Sequence, residues 1–249
     1  MDTHIDSRIA RERDYHNQRF SDETREAQGK YYAAVKDGAE RFDAELNRLA
    51  RSADILEYGC GGDPKLFSVA SISRSATGID ISDIAVAQGG ERAAEMGLAN
   101  VQFYTMNAEQ MTFPDNSFDL VFGRGIIHHL DTDRSFAEIA RVLRPNGTAL
   151  FWEPLGHNLL LNLYRGMTPE ARTPDEHPLL RADFELAHRH FGQVSSSFYG
   201  LTTILSVPFR DTRLGDAILG VASVVDRAMF HIPGVKWQAW YCLMEMRTN

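Results

Sequence analysis

Two stretches of this chain hold residues whose types and spacing can do chemistry. The first is Glu57-Tyr-Gly59-Cys-Gly61-Gly62-Asp63-Pro64, a glycine-rich turn after the apolar run ADIL. Such a turn lets backbone come close to a ligand. The second is His128-His129, which follows FDLVFGRGII, with Glu153 closing the later run GTALFWE. Histidine beside a carboxylate is the usual equipment for moving a proton near neutral pH. The glycine turn fits phosphate poorly. A dinucleotide site wants a third small residue where Pro64 stands, and a P-loop wants Ser or Thr after its lysine, where Leu66 follows Lys65. Asp63 at a helix mouth would also repel a phosphate. A cationic nucleoside without phosphate is the alternative that these residues leave open.

These groups must be positioned by the elements around them. Short apolar runs alternate with helical stretches: ADILEY (53–58), PKLFSVASI, ATGIDI (76–81), DIAVAQGGERAAEM, VQFYTM (101–106), FDLVFG (118–123), SFAEIARVL and GTALFWEP (147–154). Strands alternating with helices predict βαβ units and a parallel sheet covered on both faces. Ser82 is placed to cap the helix opening at Asp83, and Gly97 to end it. Pro145-Asn146-Gly147 predicts a turn. The first fifty residues read as helices, with Ala33, Val35, Phe42, Leu46 and Leu49 at helix-like intervals. A long connection (155–191) contains Pro169, Pro174, Pro178 and the run LLLNLY. Beyond it, QVSSSFYGLTTILSVPF predicts a strand with a continuation, DTRLGDAILGVASVVDRAMF an amphipathic helix and WQAWYCLMEMR a closing strand. The simplest organisation is one domain over 1–249. Residues 1–50 form a helical cap, 53–154 a ligand-binding core, 155–191 a lid insertion and 192–249 the closing strands and helix.

The order of motifs resembles the class I S-adenosylmethionine-dependent methyltransferases, in their small-molecule, UbiE-like branch. Glu57-x-Gly59-x-Gly61-x-Asp63 is similar to the family's (D/E)-x-G-x-G-x-G, with Asp63 in place of the last glycine. Asp80, in GIDIS beside Ile81, stands where the family has an acidic residue for the ribose hydroxyls. Asn107-Ala108-Glu109 follows the third strand at the family's adenine corner, with Asn107 in place of the usual acid. FPDNSFDLVFGRGIIHHL, which includes Arg124, and RVLRPNGTALFWEP match the fourth- and fifth-strand regions. The resemblance covers roughly residues 53–154. It implies a Rossmann-like, doubly wound α/β sheet of seven strands, mostly parallel with the last antiparallel. It also implies S-adenosylmethionine as cofactor, leaving S-adenosylhomocysteine as product. Asp63 followed by Pro64 suits a helix start, the carboxylate capping and the proline preset for the first turn; contact with the methionyl ammonium is the other reading.

An oxygen or nitrogen nucleophile needs its proton removed, and His128 or His129 is placed to take it. The alternative is that one histidine orients the loop. Glu153 is expected to orient a histidine or bind the acceptor. His157, Tyr164, Arg172 and His177 of the insertion, near Arg165 and Glu176, are the candidate substrate contacts. Leu159, Leu160, Leu161 and Leu163 are expected to pack as core or as a homodimer contact, and they permit an apolar acceptor. Tyr15, His16, Tyr31 and Tyr32 could close over the cofactor.

Composition narrows the classes. A net charge of -8 argues against nucleic acid. No run of about eighteen apolar residues spans a membrane, and the charged N-terminus lacks the apolar core of a signal peptide, so the expected location is cytoplasmic. No metal is expected: two cysteines cannot build a zinc site, and the nine histidines show no HExxH spacing. The expected activity is methyl transfer to a small molecule, foremost O-methylation of a secondary metabolite or a glycosidic or lipid-like compound. Alternatives are C-methylation of a quinone or polyprenyl-type acceptor, and a cofactor-binding protein without turnover.

Overall fold

The computed structural model describes residues 3–21, 33–167, 176–209 and 212–249. Seven strands form one sheet: β1 (Asp54–Tyr58), β2 (Ser75–Asp80), β3 (Val101–Thr105), β4 (Phe118–Arg124), β5 (Leu143–Pro154), β6 (Gln193–Tyr199) and β7 (Tyr241–Arg247). Their spatial order is β3-β2-β1-β4-β5-β7-β6. Pairings from β3 through β5 are parallel, whereas β7 runs antiparallel to both β5 and β6. The doubly wound expectation, with an antiparallel last strand, is met.

Side-chain alternation explains why these strands are central. Ile55, Leu120, Phe122, Leu150 and Trp152 enter one apolar cluster with Phe42 and Leu46. Their neighbours Leu56, Val121 and Phe151 enter a second cluster with Phe136, Ile139 and Val142. Successive residues thus point to opposite faces, and both faces are covered. One cover is α2 (Lys36–Leu49), buried through Phe42 and Leu46. The other includes α4 (Thr132–Val142), buried through Phe136, Ile139 and Val142 at helical spacing. The remaining helices are α1 (Thr3–Ser21), α3 (Asp83–Glu95), α5 (Leu159–Met167), α6 (Arg181–His190) and α7 (Arg213–Met229). Ser82 caps α3 by accepting the Ala85 N–H, as expected, and Gly97 leaves it at φ +66°.

Three local expectations need correction. PKLFSVASI is two short 3-10 turns (Lys65–Ser68 and Ala70–Ile72), not an α-helix. Asp63 caps nothing there: Pro64 is extended (ψ 126°), and the Asp63 carboxylate meets the Arg92 guanidinium in solvent at 3.1 Å. Leu159, Leu160 and Leu163 are exposed on α5, Leu159 and Leu160 each at 79%, and are not core. Around Pro145-Asn146-Gly147 the chain does turn, with Asn146 at φ 61°. Pairing nevertheless carries β5 back to Leu143 across a register shift opposite Phe118 and Leu120.

Candidate cofactor and acceptor site

In an open doubly wound sheet, ligands sit beyond the carboxyl ends of the strands where the strand order reverses, here between β1 and β4. The glycine turn leaves β1 at this point. Gly59 and Cys60 both donate their N–H to the Ile79 carbonyl at 2.9 Å. Gly59 has φ +72°, and a Cβ there would stand 2.6 Å from Ile126 Cγ1. Both the conformation and the space therefore call for glycine. Gly61, at φ 56°, donates its N–H to Asp80 Oδ2 at 2.8 Å, and Asp80 Oδ1 accepts the Ser82 N–H at 2.9 Å. The carboxylate that ends β2 is thus joined to the turn that ends β1, with acceptor positions left on each oxygen.

Glu57 has a different role from ligand contact. Its carboxylate is buried and accepts the N–H groups of Lys65 and Leu66, each at 2.8 Å. Burial pushes its pKa up to about 7 against the pull of these two donors. It satisfies the start of the first 3-10 turn, the capping duty expected of Asp63. At the third corner Asn107 Oδ1 accepts the N–H of Glu109, and the Ala108 carbonyl accepts the Tyr58 hydroxyl. Glu109 is buried and holds the loop after β4 by accepting the Asp131 N–H at 2.8 Å. Ile81 is half-buried beside Asp80, and Arg124 is exposed at the end of β4.

His128, His129 and Glu153 come together with Glu176 of the insertion. Glu153 is fully buried at the end of β5. Its Oε1 accepts the N–H groups of Ile126 and Ile127, while its Oε2 takes His128 Nδ1 at 2.8 Å. The other ring nitrogen of His128, Nε2, lies 3.1 Å from Glu176 Oε1. Burial alone would lower the pKa of His128; the hydrogen bonds and charges of the two carboxylates outweigh it and raise the pKa to about 9. His128 is therefore an imidazolium near neutral pH, a clamp with both nitrogens engaged and no lone pair for a substrate proton. His129 stacks against it with ring centroids 4.2 Å apart.

Helix α1 lies across this edge. Arg8 bonds the Glu109 carboxylate and, at 3.0 Å, the His129 carbonyl. Asn17 bonds Ser82 and Asp83 at the mouth of α3. His16 approaches His129, with ring centroids 5.5 Å apart. The sequence pointed to Tyr15, His16, Tyr31 and Tyr32 in this segment; of these His16 meets the core, and Arg8, Glu12 and Asn17 join it as tethers. Nothing in a charged helix tells these apart from solvated residues until the loops they meet are in place. Tyr31 and Tyr32 lie outside the described residues, as do Arg172 and the side chain of Tyr164. His177 belongs to the site's frame: its N–H donates to the His128 carbonyl at 2.7 Å and its Nε2 meets Thr132. His157 accepts the Arg181 N–H at the start of α6 and packs on Trp237.

Similarity to known proteins agrees with this geometry. Residues 56–151 match a family profile described as a methyltransferase domain. The chain is 30% identical over 118 residues to the ubiquinone/menaquinone biosynthesis C-methyltransferase UbiE of Psychromonas ingrahamii, covering 45% of this chain and 47% of that one. With the UbiE of Ectopseudomonas mendocina the identity is 36% over 135 residues, 50% of this chain and 51% of that one. The matched stretch thus spans about half the length of these relatives. Among solved structures, the N-methyltransferase NodS from Bradyrhizobium japonicum superposes with a TM-score of 0.61 at 12% identity, covering 95% of this chain and 98% of that one. At that identity the superposition speaks for the fold alone. Motifs, strand order and profile agree on a methyltransferase domain over residues 56–151, set in a doubly wound seven-stranded sheet.

Proposed function

We propose that this protein binds S-adenosylmethionine at the β1–β2–β3 corner and transfers its methyl group to a small-molecule acceptor held beside His128, His129 and Glu153. The observation that carries this is the bond from Gly61 N–H to Asp80, which joins the glycine turn to the carboxylate suited to a ribose diol. The NodS structure, which shares this fold, was solved in complex with S-adenosylhomocysteine. Methyl transfer from a sulfonium is an in-line displacement, so the protein's main task is positioning. Asp80 orients the ribose, the Asn107–Glu109 corner faces the adenine, and the glycine backbone admits the methionyl part. The bound cofactor supplies the electrophilic methyl.

Carbon methylation is now the better-supported reading of the acceptor, ahead of the oxygen methylation that the sequence suggested first. An electron-rich carbon needs less base than a hydroxyl, and His128 is occupied as a cation. The named relatives are quinone C-methyltransferases. The test has two steps: calorimetric titration with S-adenosylmethionine, then incubation of labelled cofactor with quinol, polyprenyl and hydroxylated glycosidic acceptors, the products being located by mass spectrometry. No heat of binding would end the methyltransferase reading; label on oxygen in a base-stable ether would restore the first one.

A further inference from the structure

We propose that Glu12, His16 and His129 form a binding site for one divalent transition-metal ion such as zinc, which staples helix α1 to the loop after β4. Glu12 and His16 stand one helical turn apart on α1, and His129 comes from the core, more than a hundred residues away. Glu12 Oε2 lies 3.5 Å from His16 Nε2 and 3.5 Å from His129 Nδ1, and the three atoms lie within 4.8 Å of one another. Ligands each about 2.0–2.1 Å from a tetrahedral zinc ion stand roughly 3.4 Å apart. The two Glu12 spacings thus match those around a shared ion and are longer than the 2.7–3.2 Å or so of a good N–H···O bond. The side chains are 7% exposed for Glu12, 18% for His16 and 10% for His129.

The donor set, two imidazoles and one carboxylate, suits zinc and its first-row neighbours, and it leaves coordination positions for water or an oxygen donor. A carboxylate also stands behind one of the ligands, at ion-pair rather than hydrogen-bond distance. His129 turns its other nitrogen, Nε2, toward Glu176 Oε1 at 3.9 Å. Glu176 in turn meets His128, and His128 meets Glu153 at the end of β5. A carboxylate behind a ligating histidine is the arrangement that holds such rings in place. His128, His129 and Glu176 also gather three ligand atoms. There, however, the 3.1 Å contact between Glu176 and His128 is an ordinary charge-assisted hydrogen bond. Binding of the ion does not rest on the methyl-transfer reading; a separate titration with S-adenosylmethionine tells the two failures apart.

The test uses tag-free, full-length protein titrated with Zn²⁺ against a chromophoric chelator, and with Co²⁺ read by its visible absorption. One equivalent should bind with micromolar or tighter affinity, and Co²⁺ should give a tetrahedral-type band. His16→Ala, Glu12→Ala and His129→Ala should each weaken Zn²⁺ at least tenfold and abolish the band. Asn17→Ala, which loosens the same helix without removing a ligand, should stay within threefold. Zn²⁺ should also slow hydrogen exchange over residues 8–18. Failure of the unaltered protein to bind, affinity kept in both His16→Ala and Glu12→Ala, or an equal loss in Asn17→Ala would each overturn the proposal.

Discussion

The Asp80 carboxylate and the Asp63 carboxylate stand on the same edge and have opposite fates. Asp80 fastens the Gly61 N–H of the ligand turn and the Ser82 N–H at the mouth of α3, while Asp63 meets a single arginine in solvent. Replacing Asp80 with Ala should weaken S-adenosylmethionine by about 1–3 kcal/mol, the range for hydrogen bonds to a charged group. Asp63→Ala should change affinity and stability by less than about 0.5 kcal/mol, as for other exposed pairs. Calorimetry and urea melts check both; equal losses would sink the ribose assignment. His128 makes a pH prediction. Its folded pKa of about 9 lies above the ordinary 6.5. The stability it contributes is therefore full below pH 6.5 and lost as pH rises through 9. The loss should amount to roughly 1–3 kcal/mol between those limits. Glu57 titrates between 4.5 and about 7, and its raised pKa also lowers stability as pH rises, so the window above 7 isolates the histidine. In Glu176→Gln the folded pKa of His128 falls, so the decline should end at lower pH and be smaller. An unchanged profile would remove Glu176 from the clamp.

At the scale of elements, α1 decides how closed the site is. It touches the loops after β2, β3 and β4 through Asn17 and Arg8, and none of its apolar side chains among the described residues is fully buried. Segments held by a few polar contacts open at low free energy. Arg8→Ala should leave the melting temperature nearly unchanged, since the sheet and its two apolar clusters are untouched. Amide exchange over residues 8–18 should nonetheless quicken several-fold, and cofactor should dissociate faster in stopped flow. If the exchange rates stay put, Arg8 is not the tether. In the insertion, the described residues Glu176, His177 and Leu179 are stitched to the core through His128 and Pro154.

For the whole molecule, binding that favours the folded state must appear as stability. S-adenosylhomocysteine at about 100 times its dissociation constant should add roughly 2.7 kcal/mol. For a chain of this size that corresponds to a rise in melting temperature of roughly 5–10 °C. Asp80→Ala should lose most of this rise at the same ligand concentration, and a full rise in that variant would contradict the assigned corner. Among the described residues, no helix is long and apolar enough to cross a membrane.

What the sequence determined by itself was most of what depends on neighbours along the chain, PKLFSVASI and its cap excepted. The apolar run ADILEY announced a strand covered on both faces, Ser82 announced its cap, and Gly59, Gly61 and Asp80 were visible because motif residues are close in sequence to the strand ends that carry them. Tertiary structure alone decided which charged groups meet. Glu57 rather than Asp63 receives the N–H groups of the turn, because a buried carboxylate at the end of β1 is nearer to them than one facing solvent. His128 became a held cation only when Glu153 and Glu176 closed on it from 25 and 48 residues away. Glu12 and His16 gained a partner in His129 because α1 folds back over the strand ends. Charge acts through space and burial, and neither distance nor burial is written in the spacing of residues along one chain.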